Sequence, residues 1–303
     1  MSLSDDLRNE LAAITPASDC DRLAELSGLA HTAGSVHFLG RGDVAIHFDV
    51  SSNAVARRVF GLLRGFGVDA EIRTYRRRAF DRATRYQVHV AGARRALEVL
   101  SEAGILAHGL RPAERPPRRV VARACCRAAY VRGALLGGGS LSGPREPHLE
   151  IRVSSTEGAQ FLASLAPLEV LDRGRHAIAY AKGAETIADV LAEAGASDVV
   201  LVLDEHAVIA ATRARANRLA NADHANLVRA GRAAHQQVVA LRRLAETREL
   251  ERLDPGLREV AELRLEHPSL SLRELGLKCR PPLPKTSVHR RMQALVRIAN
   301  DGF

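Results

Sequence analysis

The chain has 303 residues, 46% of them apolar and 26% charged, a length that fits two or three domains with enough apolar material for a real core. No apolar run approaches the roughly 18 residues of a membrane span, and the N-terminal Met1-Ser-Leu-Ser-Asp-Asp-Leu lacks the regions of a secretory leader, so a cytoplasmic protein is expected, with no membrane partner. Lys and Arg number 44 against 35 Asp and Glu, a formal net charge of +9.

The charge is unevenly spread. Residues 206–303 hold 18 basic and 10 acidic side chains, and the segment 73–127 holds 14 Arg against four acids, leaving the rest of the first two-thirds acidic. A polyanion is the natural partner, because each cation on a phosphate releases condensed counterion. Aromatic residues are 4% and Trp is absent; single-strand binders need stacking platforms, so duplex DNA is favoured and no small-molecule substrate is expected. The four cysteines, two of them adjacent (Cys125, Cys126), form no C-x-x-C pair and read as small buried hydrophobes. No metal and no cofactor are expected.

In chain order, the first two-thirds repeats itself. Leu23-Ala-Glu-Leu-Ser-Gly-Leu-Ala-His-Thr-Ala-Gly-Ser matches the segment Arg127 to Leu141, with Gly28 on Gly133 and Gly34-Ser35 on Gly139-Ser140. His47 to Ser52 matches Glu150 to Ser155, and Val99-Leu-Ser-Glu-Ala-Gly matches Val190-Leu-Ala-Glu-Ala-Gly at a shorter offset, as if a hairpin were trimmed in the second copy. Each copy reads as a short apolar helix ending in Gly-Ser, then an alternating strand pair (Val36, Phe38; Val44, Ile46, Phe48, Val50). Ser-Ser next caps an amphipathic helix carrying Val55, Val59, Leu62 and Leu63. A second strand pair (Ala70–Tyr75, Tyr86–Val90) and a last helix closed by Gly104 complete it. The fold class is therefore α+β: two αββαββα units related by a pseudo-twofold through their first helices, residues 1–110 and 120–205. Arg73, Arg76, Arg77, Arg78, Arg82 and Arg85 fall on the second strand pair as a secondary DNA surface.

A helical linker is expected over 206–253, interrupted near Asn221-Ala-Asp223. Arg213, Arg215, Asn217 and Arg218 there are candidate phosphate contacts; Asn221 and Asn226 suit either caps at the break or phosphates. Residues 254–303 read as a helix-turn-helix domain: Leu257–Glu266, a stop at His267-Pro268, a second helix from Leu272 to about Cys279, and a third from Pro284 to about Asn300. On that third helix Val288, Met292, Leu295 and Ala299 form one stripe. The other side offers Thr286, His289, Arg290 and Gln293 for base edges, and Lys285, Arg291 and Arg297 for the backbone.

The helix ending in Gly-Ser, repeated with αββαββα around it, resembles the LAGLIDADG homing endonuclease fold. Cys125-Cys-Arg-Ala-Ala-Tyr-Val-Arg-Gly, Asn217-Arg-Leu-Ala-Asn-Ala-Asp-His-Ala-Asn-Leu and Leu257-Arg-Glu-Val-Ala-Glu-Leu-Arg-Leu-Glu-His-Pro resemble the WhiA regulators of Gram-positive bacteria. The resemblance implies a nucleoid-associated regulator of sporulation and cell-division genes acting at promoter sites, with a WhiB-like iron–sulfur regulator and RNA polymerase as partners; a non-enzymatic factor in chromosome segregation is the alternative. Lys285 and Arg291 fall where that family also carries Lys and Arg, whereas Pro284 replaces its usual Ser or Thr cap. Cleavage by the endonuclease fold needs a carboxylate before the Gly ending each helix. Ala33 and Gly138 stand there, and His31 and Leu136 occupy the earlier acidic position, so no catalytic residue and no enzyme are expected.

Overall fold

The computed structural model describes residues 2–40, 43–76, 84–143 and 146–301, in two compact units, residues 1–211 and 212–303. The first unit opens with α1 (Leu3–Ala13), which the repeat does not anticipate. A capping box between Ser2 and Asp5 starts it, and Leu7 and Leu11 are buried. The repeats follow with the same element order. The first is α2 (Asp19–Ala33), β1 (Gly34–Gly40), β2 (Asp43–Val50), α3 (Asn53–Gly65), β3 (Glu71–Arg76), β4 (Thr84–Ala91) and α4 (Arg94–Glu102). The second is α5 (Ala124–Gly138), β5 (Gly139–Ser142), β6 (His148–Val153), α6 (Thr156–Ala163), β7 (Glu169–Asp172), β8 (Ala177–Lys182) and α7 (Ala184–Ala194). Both antiparallel sheets have the same order, β1-β2-β4-β3 and β5-β6-β8-β7. The second copy is shortened in its helix as well as its hairpin: α6 has 8 residues where α3 has 13, and β7 has 4 where β3 has 6.

The repeats meet through α2 and α5. A Cβ on Gly28 would stand 2.1 Å from the Tyr130 carbonyl oxygen, and one on Gly133 would stand 2.1 Å from that of Glu25. The same sequence offset relates Gly28 to Gly133 and Glu25 to Tyr130, so the two contacts exchange under the pseudo-twofold. Both helices end in extended glycines, Gly34 and Gly139, whose carbonyl-close backbone leads directly into β1 and β5. Beside the helix pair, fully buried Glu25 accepts from Arg58 Nε at 2.5 Å and Nη2 at 3.0 Å, and from Arg132 Nε at 2.9 Å. Arg132 also donates to Ala194 O at 3.3 Å. Three helices and the end of a fourth are thereby tied to one carboxylate; removing it would strand two covered guanidinium groups.

Ile46, Phe48, Val50, Val88 and Val90 face the helices, with Leu149, Ile151, Val153, Ala177 and Ala179 in the second sheet. Phe38 departs from the expected alternation: it and Leu39 are 62% and 68% exposed near the end of β1. The Ser caps also differ between copies. Ser155 Oγ accepts from Gly158 N at 3.1 Å, whereas Ser52 makes no side-chain cap bond. Gly104 (φ +69°) follows the end of α4 and Gly195 (φ +100°) caps α7, both in the left-handed region that glycine adopts without steric cost.

Helix α8 (Ser197–Glu246) begins in the first unit and ends in the second. Its first-turn N–H groups are met by α1: Glu10 accepts from Asp198 N at 2.7 Å and Val199 N at 3.0 Å. It lacks the break expected near Asn221. The helix starts earlier and runs unbroken through Asn221-Ala-Asp223, because no Gly or Pro stands there and Asn and Asp each cost a helix only tenths of a kcal/mol. The second unit continues with α9 (Pro255–Glu266), α10 (Leu272–Lys278) and α11 (Lys285–Asp301). Its core joins Val260, Ala261, Leu275, Cys279, Val288, Met292, Leu295 and Ala299 to Ala240, Leu241 and Leu244 at the end of α8.

Candidate nucleic-acid interface

The three helices after α8 are built by local signals. Asp254 caps α9 by accepting from Gly256 N at 2.8 Å, and Pro255 opens its first turn. Ser271 and Glu274 form a capping box on α10, and hydrogen bonding to Ser271 holds the Glu274 carboxyl below the usual range. No side chain caps α11 in this way: the Pro284 carbonyl accepts from Ser287 N at 3.0 Å and Val288 N at 3.2 Å. Pro284 thus precedes the helix instead of occupying its first turn.

Sequence reasoning missed Arg264. It lies on α9 only 2% exposed, and its Nη1 donates to Leu270 O at 2.5 Å and Pro268 O at 3.3 Å, holding the turn between α9 and α10. The i, i+3 position beside Ala261 is the one signal that pointed inward. Gly276 lets the α10–α11 connection pass closely, since a Cβ there would stand 2.2 Å from the Leu283 carbonyl oxygen.

On α11 the stripe Val288, Met292, Leu295 and Ala299 is buried. Lys285, Thr286, His289, Arg290, Gln293 and Arg297 are exposed on the same helix. Arg291 is half-buried and donates through Nη1 to Gly256 O at 3.1 Å, so it braces α11 against the start of α9. Arg213, Arg215, Asn217 and Arg218 are exposed along the middle of α8. Asn221 lies inside the helix, which leaves it no cap to make, and Asn226 Oδ1 accepts from Arg229 Nη2 at 2.6 Å.

The arginine segment of the first unit is divided by strand alternation. Arg73 and Arg85 share the open face of the sheet, whereas Arg76 pairs with Thr84 on the opposite parity. Arg77, Arg78 and Arg82 lie outside the described residues. Arg73 is paired with Glu71 at 2.8 Å, and Asp49 accepts from Tyr75 OH and Gln87 Nε2 on the same face. His37, His47 and His89 form a ladder there, with ring centroids 4.3 and 4.8 Å apart; burial, then His37 and His89, lowers the His47 pKa. On the second sheet's open face Arg152 and Lys182 stand with Glu150 and Glu169. Neither face is strongly basic among the described residues.

Ala33 and Gly138, the positions that the endonuclease resemblance marks for metal ligands, stand at the ends of α2 and α5. Ala33 and Gly138 carry no donor, and a Cβ on Gly138 would stand 2.4 Å from the Arg152 carbonyl oxygen. Half-buried His31 sets Nδ1 3.2 Å from the Tyr130 hydroxyl and 3.5 Å from Ser27 Oγ, and burial lowers its pKa to about 4. The cysteines are not all small buried hydrophobes: Cys126 and Cys279 are buried, Cys20 is half-buried and Cys125 is exposed. Three of them meet Asp21 in the first unit.

Two repeats packed through glycine-bearing helices, followed by a compact three-helix module, define a LAGLIDADG-type core joined to a helix-turn-helix. Family models agree in the same order: the WhiA N-terminal LAGLIDADG-like domain over residues 19–106, the WhiA LAGLIDADG-like domain over 127–213 and the WhiA C-terminal HTH domain over 216–299. The "Probable cell division protein WhiA" of Symbiobacterium thermophilum is 36% identical over 308 residues, 99% of this chain and 98% of that one. That of Thermoanaerobacter pseudethanolicus is 33% identical over 309 residues, covering 99% and 97%. The crystal structure of full-length DUF199/WhiA from Thermatoga maritima matches 99% of both chains with a TM-score of 0.59 at 23% identity. The chain belongs to the WhiA family.

Proposed function

We propose that this protein is a sequence-specific duplex-DNA-binding regulator of sporulation and cell-division genes whose LAGLIDADG-like core does not cleave DNA. The observation that carries the reading is α11: one buried stripe fixes the helix, while Lys285, Thr286, His289, Arg290 and Gln293 near its N-terminal end are exposed. A recognition helix contacts base edges with its first turns. Thr286, His289, Arg290 and Gln293 read bases; Lys285 and Arg297 hold phosphates, joined by Arg213, Arg215, Asn217 and Arg218 on α8. Arg291 contributes by positioning the helix, with its remaining N–H groups toward the backbone. Residues 1–110 and 120–205 serve as the core repeats, 206–253 as the connection and 254–303 as the reader. Arg73 and Arg85 supply the core's weaker DNA surface, with Arg76 on the other side of the same strand pair. A WhiB-like iron–sulfur regulator, RNA polymerase and a nucleoid-associated location belong to the same reading.

Binding of selected and random duplexes across a salt titration tests it. Arg290→Ala is expected to cost about 1–3 kcal/mol on the selected site and to relax preference at one base pair. Lys285→Ala should weaken both duplexes alike and reduce the salt slope by about one. Unchanged affinity in both variants removes α11 as the reader. A second reading, a chromosome or division factor without promoter targets, draws support from the relatives' name as cell division proteins. Promoter-centred occupancy with a shared motif separates regulation from dispersed architectural binding.

A further inference from the structure

Cys20 and Asp21 lie in the first turn of α2, and Cys125 and Cys126 in the first turn of α5. The offset that relates Gly28 to Gly133 also relates Cys20 to Cys125 and Asp21 to Cys126, so the pseudo-twofold gathers the four residues at the N-terminal ends of the helix pair, away from Ala33 and Gly138. Three thiol sulfurs and a carboxylate oxygen there all lie within 4.8 Å of one another. Cys125 Sγ is 3.9 Å from Cys126 Sγ, and Cys20 Sγ is 3.8 Å from Asp21 Oδ1. A tetrahedral zinc with Zn–S bonds of about 2.3 Å sets its sulfurs about 3.8 Å apart. Small side-chain rotations therefore suffice to bring four donors onto one ion.

The surroundings match a bound cation. Ser18, the residue preceding α2, makes no side-chain cap bond to the helix backbone; its hydroxyl donates to Asp21 Oδ2 at 2.8 Å and lies 3.2 Å from Cys20 Sγ. That bond turns Oδ1 toward the sulfurs, as an outer-shell partner orients a ligand. Neither α2 nor α5 has a side-chain cap, so the first-turn N–H groups of two 15-residue helices remain available to thiolates. Arg123 Nη1, 4.0 Å from Cys20 Sγ, adds a positive charge beside ligands that together outweigh a dication. Exposed Cys125 leaves a path from solvent, while Cys126 closes the inner side. A disulfide would use two of three thiols and leave the carboxylate without a role.

We propose that Cys20, Asp21, Cys125 and Cys126 form a structural site for a thiophilic d¹⁰ cation of the zinc class, clamping the first turns of the two central helices. Four protein ligands close the coordination shell, which makes the site structural and not catalytic. It couples the cation to folding of the two repeats as one body, since neither repeat alone supplies four donors.

The test uses the full chain, reduced and stripped with a chelator, and Zn²⁺ or Co²⁺ alone as the probe. One Zn²⁺ per chain is expected, with a rise in the thermal midpoint, and Co²⁺ should give the intense sulfur-to-metal charge-transfer band of a thiolate site. Cys20→Ser/Cys125→Ser should lose both the stoichiometric ion and the Co²⁺ band, and Cys279→Ser should keep them. Asp21→Asn, nearly isosteric, should weaken Zn²⁺ by at least about tenfold, the loss that even outer-shell partners cause. The proposal fails if the folded, reduced parent takes up no stoichiometric Zn²⁺, or if the double variant binds as the parent does. A disulfide between α2 and α5 in protein isolated without added oxidant would overturn it equally.

Discussion

His31 shows how a single residue can keep a motif's position while changing its chemistry. Its imidazole sits against Tyr130 at the end of α2, and burial holds its pKa down at about 4 from an ordinary 6.5. The unfolded chain takes up a proton as pH falls through 6.5, and the folded chain does so only near 4, so unfolding is favoured progressively across that window. Between pH 7 and pH 5 the site should cost the fold about 2 kcal/mol. His31→Leu, which installs the residue that Leu136 provides in the second copy, should remove that part of the pH dependence. Denaturant midpoints of parent and variant at both pH values measure it, and equal losses would mean that His31 does not stay neutral in the fold. Leu295, buried on α11, gives the matching control for the binding variants: Leu295→Ala should cost about 2–5 kcal/mol of stability, a loss that Arg290→Ala and Lys285→Ala should not share.

At the level of elements, the helix pair α2 and α5 depends on its two interior glycines. A methyl group at either would press on a carbonyl of the partner helix at 2.1 Å, and backbone cannot step aside as a long side chain can. Gly28→Ala and Gly133→Ala should therefore each destabilise by about 3 kcal/mol, the upper end for overpacking, even though Ala is the better helix former. Gly61 on α3 supplies the contrast, because nothing lies within 4 Å of where its Cβ would stand. Gly61→Ala should stabilise by up to about 1 kcal/mol, and chemical denaturation of the three variants compares them directly. If all three behave alike, close approach of the helix backbones is not what holds the repeats together.

The whole molecule divides its chemistry between two units. Open faces of the two sheets set their cations among the acids Glu71, Asp49, Glu150 and Glu169, with Arg73 paired to Glu71, so a fragment of residues 1–211 should bind duplex DNA weakly, with Kd on the order of 10⁻⁴–10⁻⁶ M at physiological salt and without sequence preference. Specific nanomolar binding by that fragment would contradict the division. Full-length protein should leave bound duplex uncut in Mg²⁺ or Mn²⁺, since Ala33 and Gly138 offer no ligand and the packing at Gly138 has no room for one. Metal-dependent cleavage abolished by His31→Ala would overturn that expectation.

Most of the architecture could be read from the chain because local signals carried it. The doubled Gly-Ser helix ends, the alternation in β2 and β4 and the Val288–Ala299 stripe are properties of neighbouring residues, and periodicity reports such properties without a partner. The stop at His267-Pro268 marks the second unit in the same way. The sequence predicts a break at Asn221 that α8 does not have, because polar residues that cap helices elsewhere cost a long helix little when no Gly or Pro stands beside them. Of the reader, the sequence predicted which side of α11 faces solvent, but not the Arg291 bond to Gly256 or the burial of Arg264, each of which depends on a second helix. Alternation, visible only once β3 and β4 were paired, separated Arg76 from Arg73 and Arg85. Cys20 and Asp21 reach Cys125 and Cys126 solely because α2 packs on α5 about a pseudo-twofold. Spacing along the chain holds no record of that meeting, since donors brought together by symmetry between two repeats need no short motif in either.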